Sequence, residues 1–236
     1  MLNTQEPMKR SKSSDIIVHS IFHTIQGEGP FAGHPALFVR LVGCNLQCPL
    51  CDTEYTDQQV TFSSLELFEE IYDRVGTSTL IVITGGEPFR QPVGLTTLCK
   101  YLLGNGYRVQ METNGTMAIP NDFPSSVNIV CSPKATKLHQ SFAERVKQGA
   151  NNIHFKYVVK AGVVNMLDGL PLTALDHPAT PYIARPPAGY KNVIYVQPAD
   201  EKNEFKNAAN LHQAIDSCMT HNYVLQLQLH KYINME

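Results

Sequence analysis

From residue 36 onward, short apolar runs alternate with longer stretches of helical period. ALFVRLV (36–42) reads as a buried strand, and TLIVIT (79–84), YRVQME (107–112), VNIVCS (127–132), IHFKYVV (153–159), VIYVQ (193–197) and YVLQLQL (223–229) repeat the type. Between them, LELFEEIYDRV (65–75) carries its apolar residues at helical spacing, and Ser63 with Glu66 three positions later forms a capping box. PVGLTTLCKYLLG (92–104) has proline in its first turn and glycine at its end, the expected asymmetry of a helix. HQSFAERVKQ (139–148), stopped by Gly149, and NEFKNAANLHQAIDSCMTH (203–221) complete four helices.

Strands that alternate with helices imply parallel βαβ units, and near-continuous apolar strands imply a sheet covered on both faces. Seven strands and four helices fall short of an eight-unit barrel. The expected fold class is therefore α/β, either an incomplete barrel or a strongly curved open sheet with mostly parallel strands. Residues 167–192 are rich in proline and lack a period, which predicts a long loop in place of a crossover helix, or a cover over the site. Residues 1–14 are polar and read as a frayed tail, leaving 15–236 as one domain with no separating linker.

Composition narrows the class. Of 236 residues, 43% are hydrophobic and 17% charged, as in a globular protein with a sizeable core. A net charge of −2 gives no support to nucleic-acid or membrane-surface binding. No apolar run is long enough to cross a bilayer, and the first residues lack the apolar stretch of a secretory signal. The expectation is a cytoplasmic protein whose thiols stay reduced. Six cysteines then do not read as a disulfide framework, and a close group of them reads as a metal or catalytic site.

In a parallel α/β sheet, ligands bind beyond the carboxyl ends of the strands. The first predicted strand is followed by a loop with Cys44, Cys48 and Cys51, and the second by Thr84-Gly85-Gly86-Glu87-Pro88. Glu112-Thr113-Asn114-Gly115 follows the third, Ser132-Pro133-Lys134 the fourth, and Gln197-Pro198-Ala199-Asp200 the strand at 193–197. His230-Lys231 follows the last. Polar residues and glycines thus collect at one rim. Three thiols within eight positions are one short of a structural zinc site, whose fourth ligand would have to be distant, such as His23, His34 or an aspartate. A four-iron cluster held by three thiolates instead keeps one iron open for a small molecule. Cys99, Cys131 and Cys218 fall on helices and a strand and read as packing residues.

Cys-x3-Cys-x2-Cys after the first strand resembles the signature of the radical S-adenosylmethionine (SAM) superfamily, and Gly85-Gly86-Glu87-Pro88 resembles its GGEP segment. The resemblance implies a (βα)6-type partial barrel. It also implies one [4Fe–4S] cluster on Cys44, Cys48 and Cys51, whose open iron is chelated by SAM, and a 5′-deoxyadenosyl radical that abstracts a substrate hydrogen. Leu50 occupies a position that is usually aromatic. Small residues at Gly85 and Gly86 suit a main chain that must approach a ligand closely.

A second resemblance is more specific. His23-Thr24-Ile25-Gln26-Gly27-Glu28-Gly29, Arg40, Cys51-Asp52-Thr53, TGGEP, ETNG, SPK and QP together resemble the 7-carboxy-7-deazaguanine synthase family of queuosine biosynthesis, a tRNA modification pathway, from about residue 16 to the C-terminus. It implies SAM contacts at Leu50, Cys51, Asp52, Gly86, Glu87, Glu112, Asn114, Ser132, Pro133, Lys134, Gln197, Pro198, Ala199 and Asp200. It implies substrate contacts at Ile25, Gln26, Gly27, Arg40 and Thr84, and Mg²⁺ at Thr53. The implied reaction is ring contraction of 6-carboxy-5,6,7,8-tetrahydropterin to 7-carboxy-7-deazaguanine, begun by hydrogen abstraction at C6 and completed by loss of ammonia. The implied partners are a reductant protein such as flavodoxin or ferredoxin and a second copy of the chain.

These residue types suit that chemistry. A guanidinium at Arg40 can make a charge-assisted contact with the substrate carboxylate. Mg²⁺ prefers oxygen ligands such as the Thr53 hydroxyl. The Gln26 amide offers both a donor and an acceptor to a pterin edge. Two other readings compete: an activase that installs a glycyl radical on a partner protein, and a zinc-stabilised binding module.

Overall fold

The computed structural model describes residues 6–51, 53–176, 181–233 and 235, with the side chain of His230 excepted. Nine strands form one sheet in the order β3-β1-β2-β4-β5-β6-β7-β8-β9. They are β1 (Ile16–Ile25), β2 (Pro35–Leu41), β3 (Val60–Phe62), β4 (Leu80–Gly85), β5 (Arg108–Thr113), β6 (Asn128–Cys131), β7 (Ile153–Val159), β8 (Ile194–Pro198) and β9 (Val224–Leu225). From β2 to β9 every neighbouring pair is parallel, while β1 runs antiparallel to both β2 and β3. Four longer helices, α1 (Ser64–Arg74), α2 (Pro92–Gly104), α3 (Gln140–Lys147) and α4 (Glu204–His221), serve as crossovers, and α5 (Leu229–Tyr232) is a single turn.

The helix boundaries follow the local chemistry. Ser63 accepts from the Glu66 N–H while Glu66 reaches back to the Ser63 N–H, closing the expected capping box of α1. Pro92 opens α2. Asn222 ends α4 in the left-handed conformation, where asparagine is the commonest substitute for glycine.

The seven predicted strands are all present, and two more stand outside them. β1 escapes an alternation test because His19, Ser20, His23 and Thr24 interrupt its apolar residues and a bulge shifts its register between Val18 and Ser20. β3 is only three residues long. The last strand is shorter than its pattern predicts, covering Val224–Leu225 rather than 223–229. Beyond it, Gln226 and Gln228 turn their side chains inward, and the chain enters α5.

That inward turn helps to curve the sheet. Gln226 brackets Gly29, accepting from its N–H at 2.9 Å and donating to its carbonyl at 2.7 Å. The segment after β1 is thereby tied to the segment after β9, from opposite ends of the sheet order. One continuous core, running from Ile16 on β1 to Cys218 on α4, fills the space between sheet and helices. Cys99, Cys131 and Cys218 are buried there. Residues 160–193 hold no helix or strand among those described, in keeping with the predicted loop, and Leu175 of this loop accepts from the Leu50 N–H at 3.1 Å. Residues 6–14, expected as part of a frayed tail, have no regular element but hold two main-chain hydrogen bonds to the body.

Candidate active site

A cavity of about 970 Å³ opens at the carboxyl rim of the parallel strands. Cys44, Cys48 and Cys51 all line it, each half-buried. The loop that carries them is tightly seated at its base. The Glu87 N–H donates to the Gly43 carbonyl at 2.9 Å, and a Cβ on Gly86 would lie 2.1 Å from the same oxygen. The two glycines therefore let strand β4 press against the start of the loop. Asn114 supports it from the next strand end, with its amide 3.8 Å from Cys44 Sγ and 3.0 Å from Asn45 Oδ1.

The spread of the thiols tests which metal group they suit. Among the described residues, one group of three His, Cys, Asp or Glu has all its ligand atoms within 4.8 Å of one another: His19, Glu54 and Asp57. The three thiols do not form so tight a group, and three soft thiolate ligands suit an iron–sulfur cluster that keeps one iron open. His23 is bonded to the Arg74 carbonyl and His34 to the Phe31 carbonyl, and neither lines the cavity that the thiols face. Burial pushes the Cys44 thiol up to about 12 and the Cys48 thiol up to about 11. A bound metal cluster reverses that tendency by stabilising thiolates.

The other predicted residues divide between the wall and its support. Leu50, Gly86, Glu112 and Asn114 line the cavity. So do Ser132, Lys134, Gln197, Ala199 and Asp200. Ile25, Gln26, Arg40, Thr53 and Thr84 line it as well. Asp52 lies outside the described residues. Gly27 is buried in the turn after β1 and Pro133 is buried behind Ser132; neither reaches the cavity wall. Pro198 faces an adjoining cavity of about 390 Å³ that shares Asp200 and Lys231 with the larger one.

Three of these side chains have close neighbours within the chain. Glu87 does not line the cavity: its carboxylate is fully buried and accepts from Thr113 Oγ1, the Asn114 N–H and the Phe89 N–H. Burial pushes that carboxyl up to about 7 against the pull of these hydrogen bonds, which makes it a brace between strand ends. The Gln26 amide is already engaged at both ends, donating to Glu112 at 3.0 Å and accepting from the Glu28 N–H at 3.1 Å. Arg40 is half-buried, and its guanidinium stands 4.9 Å over the Phe22 ring.

Lys156, which the sequence pattern does not single out, completes a charged floor. Lys156 on β7 pairs with Glu28 and lies 3.8 Å from Glu112. Glu28 also accepts from Gln197 at 2.9 Å and Gln228 at 3.0 Å. Burial works to raise the Glu28 carboxyl, but Lys156 and these amides outweigh it and hold the group well below the usual range. Burial, aided by the Glu28 charge, raises Glu112 instead. Two buried oxygens at this wall, Thr24 Oγ1 and Gln197 Oε1, find no partner among the described residues. Buried acceptors left in this state are the mark of a site built for a polar ligand.

A mostly parallel, curved sheet with three spaced thiols at its carboxyl rim, beside a glycine pair and a polar cavity, defines a radical SAM partial barrel. No family model matches the sequence. The curated relatives are specific, however. A 7-carboxy-7-deazaguanine synthase of Rhodospirillum rubrum is 38% identical over 225 residues, covering 92% of each chain. That of Rickettsia prowazekii is 34% identical over 99% of this chain and 94% of its own. The crystal structure of QueE from Escherichia coli aligns with a TM-score of 0.65 at 26% identity, over 90% of this chain and 93% of that one. The chain belongs to the 7-carboxy-7-deazaguanine synthase family.

Proposed function

We propose that this chain is a radical SAM lyase that converts 6-carboxy-5,6,7,8-tetrahydropterin to 7-carboxy-7-deazaguanine with loss of ammonia. The observation that carries the reading is that three thiols, Arg40 and Thr53 open into one cavity. Cys44, Cys48 and Cys51 would hold the cluster, with SAM on its open iron. When bound, cluster and SAM supply the radical that removes a hydrogen from C6 of the substrate. Ser132, Lys134, Asn114, Gly86 and the 197–200 segment would border SAM in this reading.

Arg40 receives the substrate carboxylate, held in direction by the Phe22 ring beneath it. Ile25, Gln26 and Thr84 shape the pterin pocket, and Gly27 sets the turn that presents them. Thr53 contributes an oxygen to Mg²⁺. Glu112, raised by burial and fastened to Gln26, is the carboxyl placed to hold a proton on the cavity floor. A homodimer belongs to the same reading, because β9 ends the sheet with Val224 and Leu225 exposed. So does the cytoplasm as the working compartment, where a reductant protein is at hand. Among the described residues no helix is long and apolar enough to cross a membrane.

Arg40→Ala tests the assignment. It should retain its full iron and sulfide content while product formation falls by about two orders of magnitude or more, the cost of removing a charge-assisted contact of about 3 kcal/mol. Unchanged product formation would remove Arg40 from the substrate site.

A further inference from the structure

The proposed reaction needs an electron from outside the chain, so a surface beside the thiol loop has a partner to recognise. The N-terminal segment lies there. The Met8 N–H donates to the carbonyl of Cys44 at 2.8 Å, and the Ser11 N–H donates to the Arg90 carbonyl at 2.6 Å. Met8 also rests on Gly43: a Cβ at that glycine would come within 2.7 Å of both Met8 Sδ and Arg90 Nε. Met8 and Ser11 are half-buried, whereas Lys9, Arg10 and Lys12 are exposed. Among the described residues none of these three cations forms an ion pair. A basic tail is ordinarily a solvated tail. This one is fastened by its main chain to a thiol ligand and to the residue that packs under the loop.

We propose that residues 8–12 form a basic strap that docks a small acidic one-electron carrier protein against the thiol loop. The inference rests on the radical SAM reading above. Charge complementarity selects the partner: three exposed cations in a chain of net charge −2 make a local positive strip on an otherwise acidic molecule. Such a strip speeds encounter and orients it without demanding a large interface, as suits a transient redox contact. In the docked pair one electron leaves the reduced centre of the carrier, which is oxidised by one equivalent, and enters the [4Fe–4S] group. No atoms are exchanged.

The test compares the reconstituted wild type with the triple variant Lys9→Ser, Arg10→Ser, Lys12→Ser. Reduction is followed by bleaching of the cluster absorbance in anaerobic stopped flow, with reduced flavodoxin as one donor and dithionite as the other. Flavodoxin affinity is measured by titration. At low salt the variant should be reduced by flavodoxin about tenfold more slowly and bind it more weakly, with the gap closing as salt screens the strip. Reduction by dithionite should be unchanged. Equal flavodoxin rates and affinities in the two proteins would overturn the proposal. So would an equal loss with both donors, which would make the strap a support of the loop. Absence of deazapurine product from the dithionite-reduced wild type strikes the functional reading instead, and leaves the docking measurement intact.

Discussion

Lys156 ends between two carboxylates inside a strand, IHFKYVV, that is otherwise mostly apolar. A cation in an apolar strand needs an acid or a ligand. That signal is available in the sequence, but it does not say which acid answers, and Glu28 is 128 residues away. Removing one member of such a set leaves the others uncompensated, so Lys156→Met should lower stability by roughly 3–5 kcal/mol in chemical denaturation. The pH dependence has a definite sign. The Glu28 carboxyl is lowered on folding from 4.5 to about 2, so the unfolded chain takes up its proton first as pH falls. Its contribution is complete above about pH 4.5 and is lost on the way down through about pH 2. Glu28→Gln should flatten the acid limb of the stability curve in that window. An unchanged acid limb would show that folding does not lower the Glu28 carboxyl.

At the level of elements, the parallel units are legible because their strands are mostly apolar and the longer helices open on a capping side chain or, in α2, on a proline. The end of the sheet at β3 and β1 is not legible, since β1 carries a bulge and polar residues on both faces and β3 is only three residues long. The site is legible for a related reason. Parallel strands deliver their following residues to one rim, so reading the strand ends in order yields most of the cavity wall. What the order cannot show is which strand-end side chain turns inward as a brace, as Glu87 does. The approach of β4 to the thiol loop is also an element-scale feature. With a Cβ on Gly86 placed 2.1 Å from the Gly43 oxygen, Gly86→Ala must move one backbone or the other. It should cost about 1–3 kcal/mol of stability and reduce the iron bound after reconstitution. Full iron loading with unchanged stability would mean that the loop base yields freely.

For the whole molecule, curvature is the property that matters. Gln226 ties the β9 end of the sheet to Gly29, and the cavity, the charged floor and the thiol loop all lie along the rim so closed. The same arrangement leaves Leu225 exposed on the outer edge strand. If a second copy covers that edge, Leu225→Lys should shift the protein from dimer to monomer in sedimentation velocity, since a charged residue is a standard block to edge pairing. A wild type that sediments as a monomer would set the dimer aside without touching the chemistry.

The central claim is that this rim holds a radical SAM ring-contraction site. It is tested most directly by incubating the anaerobically reconstituted protein with 6-carboxy-5,6,7,8-tetrahydropterin, SAM and dithionite, with and without Mg²⁺, and measuring 7-carboxy-7-deazaguanine and ammonia. The account predicts that both products appear in equal amounts, faster with Mg²⁺, and that Cys48→Ala abolishes them together with the bound iron. Protein that carries a complete cluster and cleaves SAM but forms no deazapurine from this substrate would contradict it.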